Sequence, residues 1–387
     1  MDFDFNDEQR LLKESAREVM EKEIIPIADE YDKGKLLHDR KRLKELLDKL
    51  APLGYLGATI PEEDGGFALD YVSWGILFEE LARAFASLAG ILIIISGSGI
   101  MLSKLGTPEQ KKRFLPSLLT GEKIPCTAIT EPNVGSNPAA IETLAVLDGD
   151  HYVINGTKTW ISNGVISDVA IVVAQTKKGA GASGLCQLIV ERKVSPYEAS
   201  ELPLMGVRAS CPSELVFEDC RVPKENLLVP PGEGLKRTLQ LFEVGRATMA
   251  IGAVGMAQAA IDASVRYAKE RHQFGKPIGS FQLIQEMIVD MIAYTEASRL
   301  LAFRALSMLD KGVKCDRETS IAKFYATEAA VKVTSMAIQI HGAMGLSEEM
   351  PVERFFRDAR VWTIPDGATQ IQKLVVGRNV LGLNAIR

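Results

Sequence analysis

Apolar residues over the first 120 positions recur every three or four, the spacing of helices that bury one face. Residues 6–32 ("NDEQRLLKESAREVMEKEIIPIADEYD") keep this pattern up to a proline, and residues 40–54 ("RKRLKELLDKLAPLG") repeat it. Residues 71–95 are apolar almost all round, which predicts an interior helix. Within the stretch 88–102 ("LAGILIIISGSGIML") small polar residues break a run too short to span a bilayer. It reads as a buried helix, either plain core or core that also lines a pocket. A further helix opens at residues 107–122, with Thr107 as cap and Pro108 in the first turn.

The pattern changes near residue 121. Strand-length runs rich in branched residues follow, among them "DVAIVVAQT" (168–176), "GLCQLIVER" (184–192) and "ELVFEDCRV" (214–222). In "HYVINGTKTWISNG" (151–164) two Asn-Gly pairs predict hairpin turns. From residue 234 the helical period returns in three long segments and a shorter terminal one, which predicts a four-helix bundle. The expected fold is mainly α with a central, barrel-like β domain of about six to eight strands. The domains run 1–120, 121–233 and 234–387. A sheet wedged between helical blocks makes a cleft, and such junctions bind ligands.

Composition narrows the function. The chain has 387 residues, 47% of them hydrophobic, enough for two or three cores. Net charge is −5, which disfavours a nucleic-acid surface. Five cysteines form no CxxC pair and the four histidines are scattered, so no metal site is expected and the thiols read as reduced. The acidic N-terminus has no apolar targeting segment. A cytoplasmic protein with no membrane insertion is expected.

Candidate chemistry centres on Asp366 in "WTIPDGATQIQ" (362–372). Pro-Asp-Gly is ordinary turn chemistry, and Asp366 in one reading caps the helix that follows. In the other it is a catalytic base.

Six separated motifs bear on the choice: "IPEEDGG" (60–66), "TEPNVGS" (130–136), "WISNG" (160–164), "RHQFGKPI" (271–278), "QIHGAMG" (339–345) and "PDGATQIQ" (365–372). In this order, on a helix–β–helix pattern, the sequence resembles the acyl-CoA dehydrogenase family from Phe3 to the C-terminus. The resemblance implies FAD-dependent oxidation of an acyl-CoA thioester between Cα and Cβ. Hydrogen bonds stabilise the developing enolate, a desolvated carboxylate takes the α-proton, and a hydride leaves Cβ for flavin N5.

On this resemblance Asp366 is the base, where the family usually has glutamate, and its backbone N–H helps hold the thioester oxygen with Gly367 beside it. Relatives that carry the base elsewhere place it before an arginine on the long helix. Here that position is Gly245, before Arg246, with Glu243 as a weaker nearby candidate. Glu243 and Arg246 are expected to bind substrate, and Ser136 to meet both substrate and flavin. Ile129, Thr130, Gly135, Ser136, Trp160, Ile161 and Ser162 are the implied contacts to FAD, with Thr369 and Gln370 after the base. The plain alternative for Trp160 is β-domain core. Arg271, Phe274, Gln282, Gln339, Gly342 and Ala343 are implied to reach the flavin of a neighbouring subunit, in a homo-oligomer that is usually a tetramer. The alternative for Arg271 is a solvated helix-end cation. The implied electron acceptor is electron-transferring flavoprotein.

Two positions depart from the family pattern. Ala368 stands where a hydroxyl is usual, and Asn137 where aspartate is usual. The base itself is one methylene short, so it reaches roughly an ångström less far. Pro365 replaces a usual aromatic residue and frees space. Aspartate as the base resembles the dehydrogenases of alicyclic acyl-CoAs from anaerobic aromatic degradation, the freed space suits a bulky or ring-bearing acyl group, and cyclohexane-1-carboxyl-CoA giving cyclohex-1-ene-1-carboxyl-CoA is the expected reaction. A 1,4-elimination from cyclohex-1-ene-1-carboxyl-CoA is helped by a second acid, and residues 81–108 contain none. A short- or branched-chain acyl-CoA dehydrogenase, or a flavin oxidase of nitroalkane oxidase type, are the alternatives.

Overall fold

The computed structural model describes residues 4–385. Local sequence starts the first and last helices of the N-terminal block in the same way. Asn6 accepts from the Gln9 amide at 2.8 Å while Gln9 Oε1 accepts from the Asn6 amide, a reciprocal cap. Thr107 and Gln110 repeat this, with Pro108 in the first turn as predicted. Six helices make up the block: α1 (Asp7–Val19), α2 (Ala28–Gly34), α3 (Arg40–Leu50), α4 (Tyr71–Ala84), α5 (Ala86–Leu105) and α6 (Pro108–Leu119).

Eight strands form the central sheet: β1 (Pro125–Ala128), β2 (Leu144–Asp148), β3 (His151–Ile161), β4 (Val169–Gln175), β5 (Leu185–Glu191), β6 (Glu198–Glu201), β7 (Ser213–Pro223) and β8 (Leu227–Val229). Their order is β6-β7-β3-β2-β4-β5-β8, with β1 parallel to β4. The Asn155–Gly156 hairpin expected from sequence is not there. That pair lies inside β3, where the pairing with β7 slips between Ile154 and Gly156. The left-handed backbone that Asn-Gly favours is spent on a bulge: Gly156 has φ +151°, and a Cβ on it would fall 2.5 Å from Thr143 Oγ1. Asp219, on the partner strand, exchanges two hydrogen bonds with the Asn155 side chain. The turn into β3 falls at Gly149–Asp150 instead. Asn163–Gly164 does turn, with Asn163 at φ 67°, but it leads into a short 3-10 helix, and β3 and β4 do not pair, so this too is no hairpin.

The C-terminal block contains α7 (Gly234–Glu270), α8 (Gln282–Asp310), α9 (Asp316–His341), α10 (Val352–Trp362) and α11 (Thr369–Leu381). Helices α7, α8 and α9 pack on one another and α11 packs on α9. Helix α10, unforeseen from sequence, fills the angle between α7 and α9. A two-stranded hairpin, β9 (His272–Gln273) and β10 (Lys276–Pro277), leads out of α7.

The two helical blocks share one core, in which Phe78 of α4 meets both Trp74 of the same helix and Trp362 of α10. The sheet has its own core, and Met101, Leu102, Phe114 and Leu115 seal α5 and α6 onto β4 and β5. Helices α5 and α7 are long and apolar enough to cross a membrane, but most of each is buried inside the fold.

Candidate active site

Up to Ser103, helix α5 is buried except for one stripe. Gly90, Ile93, Ile94 and Gly97 stay partly open, and their i, i+3, i+4, i+7 spacing puts them on one face. Gly90 lies beside Ser210, and Gly97 beside Leu241 of α7. The two glycines are about 10 Å apart along the axis. An apolar floor therefore runs from the sheet side of the junction to α7.

The "WISNG" segment stands at the sheet end of that floor. Asn163 is fully buried; its Nδ2 donates to Ile91 O (3.3 Å) and to Pro125 O (3.2 Å), tying the segment to α5 and β1. Trp160 is 57% exposed and held at φ 60°. A left-handed tryptophan is strained and persists only where its surroundings impose it. Ile161 turns its side chain into the sheet core, which leaves only its backbone free to face a ligand.

Buried Lys158 organises the neighbouring loop. It donates to Ile129 O (2.9 Å) and Glu131 Oε1 (2.8 Å), and Glu131 also accepts the amides of Glu142 and Thr143. The Thr159 amide donates to Thr130 O at 2.9 Å. Burial draws the Lys158 ammonium down to about 8, against the pull of Glu131. Among the described residues, the hydroxyls of Thr130, Ser136 and Ser162 have no protein partner. An open indole face beside unpartnered hydroxyls fits a flat ring system with polar edges, as in a flavin.

Asp366 stands at the α7 end. It does not cap α11: Ala368 is the capping position and no side chain caps the helix. Asp366 itself has φ 54° and Gly367 φ 96°, a tight left-handed turn. Its carbonyl accepts from Gln372 Nε2 (2.8 Å) and Arg246 Nε (3.4 Å). Gln372 Nε2 and Lys323 Nζ both donate to Gly367 O, and Lys323 also to Thr363 O. The carboxylate lies against α7 at Gly245, where an added Cβ would sit 2.4 Å from Oδ2. Solvent reaches part of the residue, yet protein atoms crowd the carboxylate, and desolvation raises its pKa against the opposing charges of Lys323 and Arg246. A carboxylate so placed is suited to take a proton.

The other sequence-predicted residues divide by place. Arg246 is buried beside the Asp366 turn. Glu243 is half-buried, its pKa raised by burial and by Asp316; two residues from Gly245, it projects from another side of α7. Gly135 and Ser136 lie exposed on the loop after β1, and Thr369 Oγ1 donates to Glu328 at 2.6 Å. Gln370 is exposed at the start of α11, and Gln339, Gly342 and Ala343 are exposed at the end of α9. Arg271 and Gln282 are exposed too, and Phe274 is 92% exposed at the tip of the β9–β10 hairpin. Sequence reading missed Lys158, Lys323 and Gln372. The signal for Lys323 was its place on the apolar face of α9, in step with Thr319, Ala326 and Ala330.

Comparison with known proteins agrees with this architecture. Models for the N-terminal, middle and C-terminal domains of acyl-CoA dehydrogenase match residues 6–122, 126–220 and 232–381. The mitochondrial short-chain specific acyl-CoA dehydrogenase of Rattus norvegicus is 38% identical over 380 residues, covering 96% of this chain and 90% of the relative. The glutaryl-CoA dehydrogenase of Desulfococcus multivorans is 37% identical over 388 residues, 99% of each. The butyryl-CoA dehydrogenase structure from Megasphaera elsdenii superposes with a TM-score of 0.93 at 35% identity, covering 98% of this chain and all of that one. Structural neighbours include chains solved with FAD and with FADH2, the cofactor of these enzymes. On matches that run through all three domains, the chain belongs to the acyl-CoA dehydrogenase family.

Proposed function

We propose that this acyl-CoA dehydrogenase oxidises a compact, uncharged acyl group, with cyclohexane-1-carboxyl-CoA as its best substrate and Asp366 as the base. The carrying observation is the fit of Asp366 into the space left by Gly245. The short acid stands close against α7, so a ring-bearing α-carbon has to come to it, and the residue before it is Pro365 and not a bulky aromatic. The open stripe of α5 supports the uncharged acyl group. A second carboxylate on the substrate would need a cation there, and α5 has none between its ends. Arg83, just before α5, is held by Glu80, and Lys104 by Tyr71.

FAD, when bound, supplies the hydride acceptor. Trp160, Thr130 and Ser162 would hold its ring. The Asp366 and Gly367 carbonyls are turned toward Arg246, Gln372 and Lys323, and the Asp366 amide is assigned to the thioester oxygen, where it would stabilise an enolate. The α-proton goes to the Asp366 carboxylate. The exposure of Arg271, Phe274 and Gln282 supports their use against the flavin of a second copy, in a tetramer, and electron-transferring flavoprotein is the proposed electron acceptor.

Anaerobic titration of the yellow protein tests this, read at the oxidised-flavin band near about 450 nm. Bleaching by cyclohexane-1-carboxyl-CoA, lost in Asp366→Asn, is the expected result. Bleaching only by butyryl-CoA, glutaryl-CoA or cyclohex-1-ene-1-carboxyl-CoA would keep the family and overturn the substrate. Bleaching by no thioester, with rapid reoxidation in air after chemical reduction, would favour an oxidase.

A further inference from the structure

Lys323 is fully buried on α9, and among the described residues no other residue of that helix hydrogen-bonds the Asp366 turn. A lysine in a core costs the burial of its charge unless that charge is used. Two of its three N–H donors go to the carbonyls of Thr363 (2.9 Å) and Gly367 (3.1 Å). Those carbonyls bracket the base: one ends helix α10, and the other follows Asp366 directly. The Thr363 bond satisfies a carbonyl at the C-terminus of α10, whereas the Gly367 bond serves no helix or strand. Both fix a turn whose two central residues have left-handed backbones, one of them not a glycine. A neutral donor such as Gln372 already reaches the same turn, so the hydrogen bonds alone do not require an ammonium.

We propose that Lys323 is a positioning residue for the base: it clamps the Thr363–Gly367 turn and keeps a buried positive charge near the Asp366 carboxylate. The proposal rests on the reading of Asp366 as base. The charge has a job there, because the crowding that makes the carboxylate basic also favours its protonated, inactive form. Lys323 is the largest opposing influence on Asp366, ahead of Arg246. Asp366 in turn holds the Lys323 ammonium up against burial, which brings it down to about 8. The other charged groups around the pair are Arg246 and Glu243 on α7, Glu328 and Asp316 on α9, the latter facing Arg246 and Glu243, and Arg378 on α11 facing Arg246.

The test is the pH profile of flavin reduction by acyl-CoA, measured in stopped flow without oxygen, for the wild type, Lys323→Met, Lys323→Gln and Lys323→Arg. Loss of the charge in Lys323→Met is expected to move the acid limb up by about one pH unit or more. Lys323→Gln, which keeps a donor without charge, is expected to move it equally, and it decides the matter if Lys323→Met does not fold. Lys323→Arg is expected to leave the limb in place. Amide hydrogen exchange at residues 364–367 is expected to speed up most in Lys323→Met. An unmoved acid limb in both neutral variants would overturn the proposal and leave Lys323 a packing residue. Asp366→Asn separates the two ideas: if it still reduces its flavin, the base assignment fails, whereas an inactive Asp366→Asn with an unmoved limb in the neutral variants removes only the role of Lys323.

Discussion

The carboxylate of Asp366 occupies the space that a side chain at residue 245 would fill. A Cβ at Gly245 would lie 2.4 Å from Asp366 Oδ2, inside van der Waals contact. Helix α7 and the base are therefore fitted to each other. Gly245→Ala is expected to displace the carboxylate while leaving the fold and flavin loading intact. A displacement near 1 Å slows flavin reduction by about a hundredfold. Rapid-reaction kinetics on the yellow variant would show it; an unchanged rate would mean that Asp366 does not act from this position.

The raised pKa of Asp366 carries a stability cost with a definite sign. The folded state favours the protonated acid, so this group's contribution is full below the ordinary aspartate value of 3.8 and is lost as pH rises through the folded value. Asp366→Asn removes the buried charge. Its thermal midpoint should exceed that of the wild type at neutral pH, and the gap should close as the pH falls. Activity moves the opposite way, since only the carboxylate takes a proton. Melting curves across pH would read this directly.

Lys158 and Glu131 are expected to behave as a unit. Both are buried and bonded at 2.8 Å. Glu131→Gln leaves an unpaired ammonium inside the sheet, a loss of about 3–5 kcal/mol. The loop that carries Thr130 and Ser136 should loosen, and purified protein should retain less flavin. Combining Glu131→Gln with Lys158→Met should recover part of the stability, because no lone charge remains. Denaturant titration of the three variants gives the coupling.

The open stripe of α5 predicts a change in substrate binding. Ile93 is partly exposed but still packs against the helical core, so Ile93→Asp should lower the thermal midpoint somewhat, and the folded, flavin-loaded variant is the one to assay. A carboxylate on the apolar floor should raise KM for an uncharged acyl-CoA about tenfold or more. Unchanged KM would place the acyl group elsewhere.

Much of this was legible in the sequence because the elements are long and their periods clean. The helices α7, α8 and α9 were readable from apolar spacing. Helix α10 has the same signal, in Val352, Phe355, Ala359 and Trp362, but is short and sits next to the more conspicuous Asp366 motif. Asn155–Gly156 misled because one backbone preference serves a bulge as well as a turn, and only cross-strand pairing tells them apart. Lys158 and Lys323 were hidden for a similar reason. A lysine in a strand or helix reads as solvated until the register shows it pointing inward. Asp366 could be singled out only through motifs lying far from it in sequence.

Helix α7 reaches from Gly245, at the base, to Arg271, just past its C-terminal end. Those residues lie roughly 39 Å apart at the helical rise. A single continuous helix, Gly234–Glu270, joins the two places. Were Arg271 to meet a second copy as proposed, the fit of that contact would bear on the wall against which Asp366 stands, and each protomer would be calibrated by its neighbour.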